Sequence, residues 1–354
     1  MKIEEIDRNF ALPETVMREG AVLHDVREAP FGIYGLEAPE DSSLPFHRMD
    51  PAVAVATSRG VAELNFHTAG GRVRFSTDSP YILLFCETSA PICCMPHMPL
   101  TGSQGFDLYA REGDREVFLK AFFPQAELAG ATAFSGAYDA PERKMTSYTL
   151  NFPLYGTCRR LLIGLSPDAV LAEGERYEDP LPVLFYGSSI TQGACASRPG
   201  TCYIAELSRR FGFDYRNFGF SGSAKGEDAV VDYMASLPMR AFVSDYDHNA
   251  PSSEHLRATL PNLYRKVRAA HPGIPFFFLS SPGATCGLAR RDDIFSIYKE
   301  ARLAGDRNVF FVDGAEMFRG EFSDDCLVDH CHPNDLGFYR MVKTVAEYMK
   351  VVFD

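Results

Sequence analysis

The chain has 354 residues, of which 46% are hydrophobic and 23% charged, and these ordinary globular values at this length favour two domains. The 35 Lys and Arg residues against 47 Asp and Glu give a net charge of −12, which argues against a nucleic-acid or anionic-membrane partner. The N-terminal segment is polar, and no stretch approaches the roughly 18 apolar residues that a membrane helix needs. We therefore expect a cytoplasmic protein.

The nine cysteines are scattered along the chain and form no CxxC pair. This pattern favours free, mostly buried thiols in a reducing compartment over a disulfide framework. The adjacent Cys93 and Cys94, close to His97, could suggest a metal site, but no second ligand pair has zinc spacing. We interpret both as core cysteines.

From about residue 20 to 178 the chain consists of short runs rich in β-branched and aromatic residues, separated by Gly, Pro or charged turns. These runs are VRFSTDS, YILLFCETS, FDLYARE, EVFLKAFF, YTLNFP and RLLIGLS. They predict a β-sandwich over residues 1–178, with a possible helix in the Ala-rich part of PAVAVATSRGVAELNFHTAGG. Residues 169–182 are interpreted as a linker.

From residue 179 to 354 near-continuous apolar runs alternate with amphipathic helical segments. The apolar runs are PVLFYG, YRNFGF, AFVSDYD, PFFFLSS and NVFFVDG. Such strands are typical of a parallel sheet that is buried on both faces, and their alternation with helices predicts a doubly wound α/β domain. Functional residues are then expected just beyond the carboxyl ends of the strands.

Three hydroxyl residues, Ser188, Ser189 and Thr191, follow the first strand of this sheet in VLFYGSSITQG. They could simply form a turn. Alternatively, Ser189 is a nucleophile, which would need a base, a group that orients the base, and donors for an oxyanion. Ser188 and Thr191 are then turn and helix-start residues.

The base and its orienting group are expected in DHCHPND. Asp329 and His332 are three residues apart, so in a tight turn the carboxylate can accept from one imidazole nitrogen while the other faces a hydroxyl. His330 is adjacent to the aspartate and would point elsewhere. The competing interpretation is that Asp329 and Asn334 cap the last helix.

The candidate oxyanion donors are Gly222, in FGFSG, and Asn249, in DYDHNAP. Glycine lets the backbone present its N–H to a ligand, and asparagine supplies a side-chain amide. A simple glycine turn is the competing interpretation for Gly222. Asp245, Asp247 and His248 crowd the same turn as Asn249, but no distant partner has ligand spacing, so we do not predict a metal site there.

Taken together, these blocks resemble the SGNH (GDSL-type) hydrolases. The order Ser, Asp, His is shared with α/β-hydrolases, but those enzymes present the serine in G-x-S-x-G and separate the Asp from the His. The resemblance places the nucleophile at Ser189, oxyanion donors at Ser189, Gly222 and Asn249, and the remaining triad members at Asp329 and His332. Ser188 stands where the family usually has Asp, which alters the hydrogen bonding around the nucleophile without removing a triad member.

The resemblance extends to the first half through GFDLY (105–109), HTAGGRVRFSTDS and MPHMPLTG, which are similar to a sandwich domain found before one subgroup of these esterases. It implies a flavodoxin-like three-layer α/β/α hydrolase domain at 179–354, preceded by a jelly-roll-like β-sandwich at 1–178. Asp107, Tyr109 and His97 are interpreted as fold-determining residues and not as ligands.

The implied function is a serine esterase with the triad Ser189, His332 and Asp329, acting on small polar acyl esters such as O-acetyl groups on carbohydrates. No metal or organic cofactor is implied. The alternatives are an acyltransferase with a hydroxyl acceptor and a non-catalytic glycan-binding protein. The expected partner is a small acyl ester or an acetylated oligosaccharide, and a homo-oligomer is compatible with the sequence.

Overall fold

The computed structural model describes residues 18–125 and 128–353. Within these ranges no helix is both long and apolar enough to cross a lipid bilayer. The strands of the first half are β1 (Val22–Asp25), β2 (Gly32–Tyr34), β3 (Arg72–Thr77), β4 (Tyr81–Glu87), β5 (Phe106–Glu112), β6 (Arg115–Phe122), β7 (Ala133–Asp139), β8 (Thr146–Asn151), β9 (Arg160–Leu165) and β10 (Leu171–Glu173).

These strands form two antiparallel sheets. One has the order β1-β9-β4-β7, and the other has the order β10-β3-β8-β5-β6 with β2 paired to β3. Alternate residues of facing strands meet in one core, where Ile163 of β9 and Leu84 of β4 pack with Phe106 of β5 and Phe75 of β3. The predicted sandwich is therefore confirmed.

Within the described part of the first half, three helices interrupt the sandwich: α1 (Pro51–Thr57), α2 (Arg59–Leu64) and α3 (Leu100–Ser103). The Ala-rich segment is thus helical, and it begins at Asp50, whose carboxylate accepts from the backbone N–H groups of Ala52 and Val53. Ala54 and Val61 are buried in a core that belongs to the second half of the chain. These two helices therefore link the two halves.

The second half contains strands and helices in alternation. Its strands are β11 (Val183–Gly187), β12 (Tyr215–Gly219), β13 (Ala241–Asp245), β14 (Phe276–Leu279) and β15 (Val309–Val312). Its helices are α4 (Ser189–Gln192), α5 (Tyr203–Phe211), α6 (Asp228–Ser236), α7 (Ser253–Ala270), α8 (Leu288–Leu303), α9 (Gly314–Met317) and α10 (Asp335–Phe353), with short 3₁₀ turns at Pro199–Thr201, Pro282–Ala284 and Asp324–Cys326.

The five strands of this half are all parallel and lie in the order β12-β11-β13-β14-β15. Counted within this half the order is 2-1-3-4-5, which is the flavodoxin-like arrangement. Val183 and Phe185 of β11 face a core formed with α5 and α10, whereas Leu184 and Tyr186 face a core formed with α6, α7 and α8. The predicted three-layer α/β/α fold is confirmed.

β11, the first strand of this half in sequence, lies inside the sheet and not at its edge. β11 lies between β12 and β13. The connection after β11 therefore leads to its neighbour on one side, and the connection after β12 leads to its neighbour on the other side. Ligand crevices in open α/β sheets form at this switch point. The residue that follows it is Ser188, and α4 begins at Ser189.

The domain boundary between residues 178 and 179 stays a prediction. The segment 169–182, interpreted as a linker, contains strand β10, which pairs with β3. Ala69 and Leu154 of the first half are buried in the core beside α5 and α10. Part of the predicted linker thus belongs to the sandwich, and side chains of the first half contribute to the core of the second.

All nine cysteines are free, but Cys93 and Cys94 are exposed, so their interpretation as core residues is wrong. They lie after β4 in a segment that is outside the strands and passes over the surface. Two adjacent cysteines therefore do not indicate burial at this point of the chain.

Candidate active site

Ser189 is the first residue of α4, at the carboxyl end of β11. The turn is tight because a Cβ on Gly187 would lie 2.0 Å from Thr191 Oγ1, so only glycine fits there. Ser188 is fully buried and caps α4 by accepting from the Ile190 N–H at 3.1 Å, which is the structural role predicted for it. Ser189 itself is 7% exposed.

The structure brings Ser189, His332 and Asp329 together as the sequence predicts. Ser189 Oγ lies 2.9 Å from His332 Nε2, and His332 Nδ1 lies 2.8 Å from Asp329 Oδ2. With Nδ1 carrying the proton and donating it to the carboxylate, Nε2 is left as an acceptor for the serine hydroxyl. This is a hydrogen-bonded relay that can take the proton from a nucleophile.

A tight turn holds the relay in place. Asp329 Oδ1 accepts from the backbone N–H of His332 at 2.8 Å and of Cys331 at 3.2 Å, and the Val328 N–H donates to the His332 carbonyl at 2.9 Å. Partial burial opposes ionisation of Asp329, but the hydrogen bonds and charge of His332 outweigh it and hold the pKa of the carboxyl below its usual value.

Asn334, and not Asp329, accepts a hydrogen bond from the first turn of the last helix. Asn334 accepts from the Gly337 N–H at 3.1 Å and so satisfies the first turn of α10. The Asp329 carboxylate instead accepts hydrogen bonds within its own turn and from the His332 ring. His330 is exposed, with a left-handed backbone at φ 63°.

The three candidate oxyanion donors differ in availability. Among the residues that the structure describes, the Ser189 N–H has no hydrogen-bond partner, and it points from the N-terminus of α4. The Gly222 N–H donates to Asn249 Oδ1 at 3.1 Å, and Asn249 Nδ2 donates to the Phe220 carbonyl at 2.8 Å. Asn249 Nδ2 carries a second hydrogen, whereas the Gly222 N–H would have to be shared or released.

A buried carboxyl lies directly behind the nucleophile turn. Asp245 Oδ2 accepts from Thr191 Oγ1 at 2.9 Å and from the Tyr203 hydroxyl at 3.0 Å. Burial and then the charge of Asp247 raise the pKa of Asp245 to about 8, against the opposing effect of these two hydrogen bonds. Thr191 is thus a link between the nucleophile helix and β13.

Gln192 was missed by sequence reasoning, although it connects three parts of the site. Its Oε1 accepts from the Ser221 N–H at 3.0 Å, and its Nε2 donates to the Leu154 carbonyl at 3.1 Å. The same Nε2 lies 3.2 Å from His67 Nδ1, and burial lowers the pKa of His67 to about 4, so the ring accepts this hydrogen bond. Gln192 therefore holds the loop before Gly222 against the first half.

Arg48, from the first half, was also missed. It is fully buried and donates to the backbone carbonyls of Leu64 at 2.6 Å, Asn217 at 3.0 Å and Gly219. Burial lowers its pKa to about 9. A single arginine in PFHRMD gives no sequence signal for a role at the end of β12, 169 residues away from it.

Asp107 and Tyr109 of the GFDLY segment lie where the two halves meet. Asp107 Oδ1 accepts from Asn151 Nδ2 and its Oδ2 accepts from the Gly200 N–H, both at 2.8 Å. A Cβ on Gly200 would lie 2.3 Å from the Tyr109 hydroxyl, so Gly200 is needed for this close approach. These contacts agree with a fold-determining role for both residues.

The position of His97 does not fit its interpretation as a fold-determining residue. Its side chain is exposed, and its ring centroid lies 5.8 Å from that of His332. His97, His332 and the buried Cys195 place one ligand atom each within 4.8 Å of one another. Burial, and then the charge of Asp329, raise the pKa of the Cys195 thiol to about 12.

A second group of ligand atoms lies beside Asn249. Asp247 and His248, which sequence reasoning set aside for lack of a distant partner, have one in Cys286. Their ligand atoms also lie within 4.8 Å of one another. The turn after β14 brings Cys286 to them, a juxtaposition that depends on the strand order and not on local spacing.

Comparison with known proteins gives a family match for each half of the chain. Residues 181–350 match the model of the GDSL-like lipase/acylhydrolase family, and residues 22–171 match the model of the N-terminus of the SGNH-hydrolase type of esterase. A comparison with curated protein sequences gave no match.

Solved structures of the same architecture include a candidate GDSL-like lipase from Bacteroides ovatus, with 26% identity, a TM-score of 0.83 and coverage of 94% of this chain and 97% of the other. The salicylyl-acyltransferase SsfX3 from a tetracycline biosynthetic pathway has 17% identity, a TM-score of 0.76 and coverage of 95% and 98%. The acetyl xylan esterase Est2A from the rumen bacterium Butyrivibrio proteoclasticus has 12% identity, a TM-score of 0.60 and coverage of 94% and 98%.

The two family models occur in one chain, in the order that the two-domain esterases show, and they leave few residues unmatched. The parallel 2-1-3-4-5 sheet and the antiparallel sandwich supply the corresponding folds. The chain therefore belongs to the SGNH (GDSL-like) acylhydrolases that carry this N-terminal domain, and it is an esterase of that family.

Proposed function

We propose that the protein is a serine esterase that removes small acyl groups from polar alcohols, with O-acetyl groups of carbohydrates as its substrate class. The single observation that carries the proposal is the continuous relay from Ser189 Oγ through His332 to Asp329, with heavy-atom distances of 2.9 and 2.8 Å. Both distances lie within hydrogen-bond reach, which a nucleophile and its base require.

In the proposed acylation step, Ser189 Oγ attacks the ester carbonyl carbon while His332 Nε2 takes the hydroxyl proton. Asp329 holds the proton of Nδ1 and stabilises the imidazolium that forms. The new carbon–oxygen bond places a negative charge on the former carbonyl oxygen. When the tetrahedral intermediate collapses, His332 gives its proton to the departing alcohol.

The oxyanion is assigned first to the Ser189 N–H, because this donor is free among the described residues and lies at a helix N-terminus. The second hydrogen of Asn249 Nδ2 is the next donor. Gly222 contributes only when its hydrogen bond to Asn249 Oδ1 is shared or opened. In deacylation, water gives a proton to His332 Nε2 as its oxygen attacks the acyl carbon. The bond between that carbon and Ser189 Oγ then breaks, His332 returns the proton to Oγ, and the acid is released.

The substrate class is supported by charge and by fold. A net charge of −12 favours neutral polar substrates over acidic ones. The acetyl xylan esterase that shares the architecture is named for an acetylated carbohydrate. Acetyl groups on mono- and oligosaccharides are therefore the substrates to test first.

The test is acetate release from a panel of acetylated mono- and oligosaccharides, with p-nitrophenyl acetate as reference. Ser189→Ala and His332→Ala should each lower kcat/KM by at least about 10³-fold, because each removes one member of the relay. Ser296→Ala, on the exposed face of α8, and His24→Ala, on β1, are matched controls that should keep full activity. Full activity of Ser189→Ala would refute the proposal.

Acyl transfer is the second candidate, favoured by one observation. Ser189 is only 7% exposed, so an acceptor alcohol that fills the site could keep water from the acyl-enzyme. The salicylyl-acyltransferase has the same architecture over 95% of this chain. Acyl transfer predicts slow hydrolysis of p-nitrophenyl acetate that added sugar alcohols accelerate, with formation of a new ester.

A further inference from the structure

We propose that His97, Cys195 and His332 form a binding site for Zn²⁺, and that zinc bound there inhibits the esterase. One ligand atom of each residue lies within 4.8 Å of the others. The site joins the two halves of the chain, since His97 precedes the predicted boundary and the other two follow it. Zinc binding itself is independent of the proposed function, and only the inhibition rests on it.

The donor set suits zinc. Imidazole nitrogen and thiolate sulfur are the ligands of structural and catalytic zinc, with bonds of about 2.0–2.1 Å and 2.3 Å. In a tetrahedral site such bonds separate the donor atoms by about 3.3–3.6 Å, so the present separations need to close by about 1.5 Å at most. The exposed side chain of His97 can make this movement, because it lies in a surface turn outside the strands.

His332 is already oriented as a metal ligand. Its Nδ1 is held by Asp329 Oδ2 at 2.8 Å, so Nε2 carries the lone pair, which faces Ser189 Oγ at 2.9 Å and which a metal ion would take from the serine hydroxyl. A carboxylate on one nitrogen and a metal on the other is the usual environment of a zinc-bound histidine. The hydrogen bonding that makes His332 a good base therefore also makes it a good ligand.

Cys195 supplies the second fixed donor. It is buried and has a left-handed backbone at φ 69°, three residues after the end of α4. On zinc binding the thiol proton is released to solvent and the sulfur–zinc bond forms, with no change of oxidation state. The fourth position lies toward Ser189 Oγ, which is 2.9 Å from His332 Nε2, and it can be taken by that oxygen or by water.

Inhibition follows from the lone pair of His332 Nε2. Once zinc occupies it, the nitrogen cannot accept the proton of Ser189, and neither acylation nor deacylation can proceed by the proposed relay. Removing zinc with a chelator restores the base. The effect is therefore reversible and depends on His97, which is not a member of the proposed relay.

The cluster of Asp247, His248 and Cys286 is the competing location for zinc. Among the described residues, Asp247 Oδ1 is a buried oxygen without a hydrogen-bond partner, so this cluster also has an unused ligand atom. It includes no member of the relay. The variant Cys286→Ser therefore separates the two locations in one experiment.

The experiment uses the full chain and two readouts. Binding of Zn²⁺ is measured by calorimetry, and Co²⁺ is added in its place to detect the charge-transfer absorption of a thiolate–cobalt bond. Activity on p-nitrophenyl acetate is measured with increasing Zn²⁺ and then with excess chelator. The variants are His97→Ala, Cys195→Ser, Cys286→Ser and Ser189→Ala, with His24→Ala as the matched histidine control.

We expect wild type, His24→Ala and Cys286→Ser to lose activity with zinc and regain it with chelator. His97→Ala should keep its basal activity and need more than about tenfold more zinc for inhibition, since even the loss of an outer-shell partner costs 10–100-fold in metal affinity. Ser189→Ala should be inactive yet still bind zinc, which separates failure of the proposed function from failure of this site. Equal inhibition of His97→Ala and wild type, or loss of inhibition in Cys286→Ser, would overturn the proposal.

Discussion

The buried carboxyl of Asp245 predicts that the stability of the protein falls as pH rises, and that Asp245→Asn removes this dependence. Asp245 is 1% exposed, and the structure describes no partner for its Oδ1. Its Oδ2 accepts two hydrogen bonds, from Thr191 and Tyr203. An asparagine with its oxygen in the Oδ2 position keeps both and cannot ionise.

The magnitude follows from the raised pKa of Asp245, which is about 8 in the folded chain against about 3.9 for an unperturbed aspartate. Between these two values the unfolded chain has lost the proton and the folded chain retains it. Unfolding therefore releases one proton, and stability declines by about 1.4 kcal/mol per pH unit. From pH 5 to pH 8 this single group costs about 4 kcal/mol.

The assay is urea unfolding at pH 5, 6, 7 and 8, with the free energy of unfolding compared between wild type and Asp245→Asn. The stability of the variant relative to wild type should increase by about 4 kcal/mol from pH 5 to pH 8. Asp114→Asn, an exposed residue in the turn between β5 and β6, is the matched control and should follow wild type. If Asp245→Asn shows the wild-type slope, Asp245 is not protonated in the fold and the reasoning is refuted.

Three further predictions concern the oxyanion donors and the contact between the halves. Asn249→Ala should lower kcat by about 10²–10³-fold with little change in KM, measured by steady-state kinetics, and an unchanged kcat would remove Asn249 from the oxyanion site. Gly222→Ala should lower the free energy of unfolding by about 1–2 kcal/mol in the urea assay, because φ is 65° there. A larger loss would contradict the structure, in which no atom lies within 4 Å of the new Cβ. Asp107→Ala should lower the free energy of unfolding by about 2–5 kcal/mol in the same urea assay, because it leaves the Gly200 N–H and the Asn151 amide unpaired. An unchanged free energy of unfolding would contradict these two hydrogen bonds.

The elements that sequence reasoning predicted are those with strong local patterns. The segment FDLYARE coincides with β5, and the five apolar runs of the second half are its five parallel strands. Because parallel strands end at one edge of a sheet, the same reasoning brought Ser189, Gly222 and Asn249 to neighbouring loops. The three-residue spacing of Asp329 and His332 needed only a tight turn.

Elements with weak local patterns were not predicted. β7 contains Gly136, where a Cβ would lie 2.6 Å from Phe122, so packing on the facing sheet has replaced strand propensity there. α6 has nine residues and begins without a side-chain cap. The approach of His97 to His332, and of Cys286 to Asp247, depends on tertiary packing that no local spacing reports.

Hydrogen bonds between the two halves determine whether the first half can act as a separate module. Arg48 binds the backbone at the end of β12, and Gln192 holds Ser221 while it contacts His67. The loop that carries Gly222 is therefore supported from the first half and not only by its own domain. A rotation of the sandwich away from the sheet would break these buried hydrogen bonds and leave charged and polar groups unpaired, at several kcal/mol. The two halves are thus expected to unfold together, and the geometry around Ser189 depends on both.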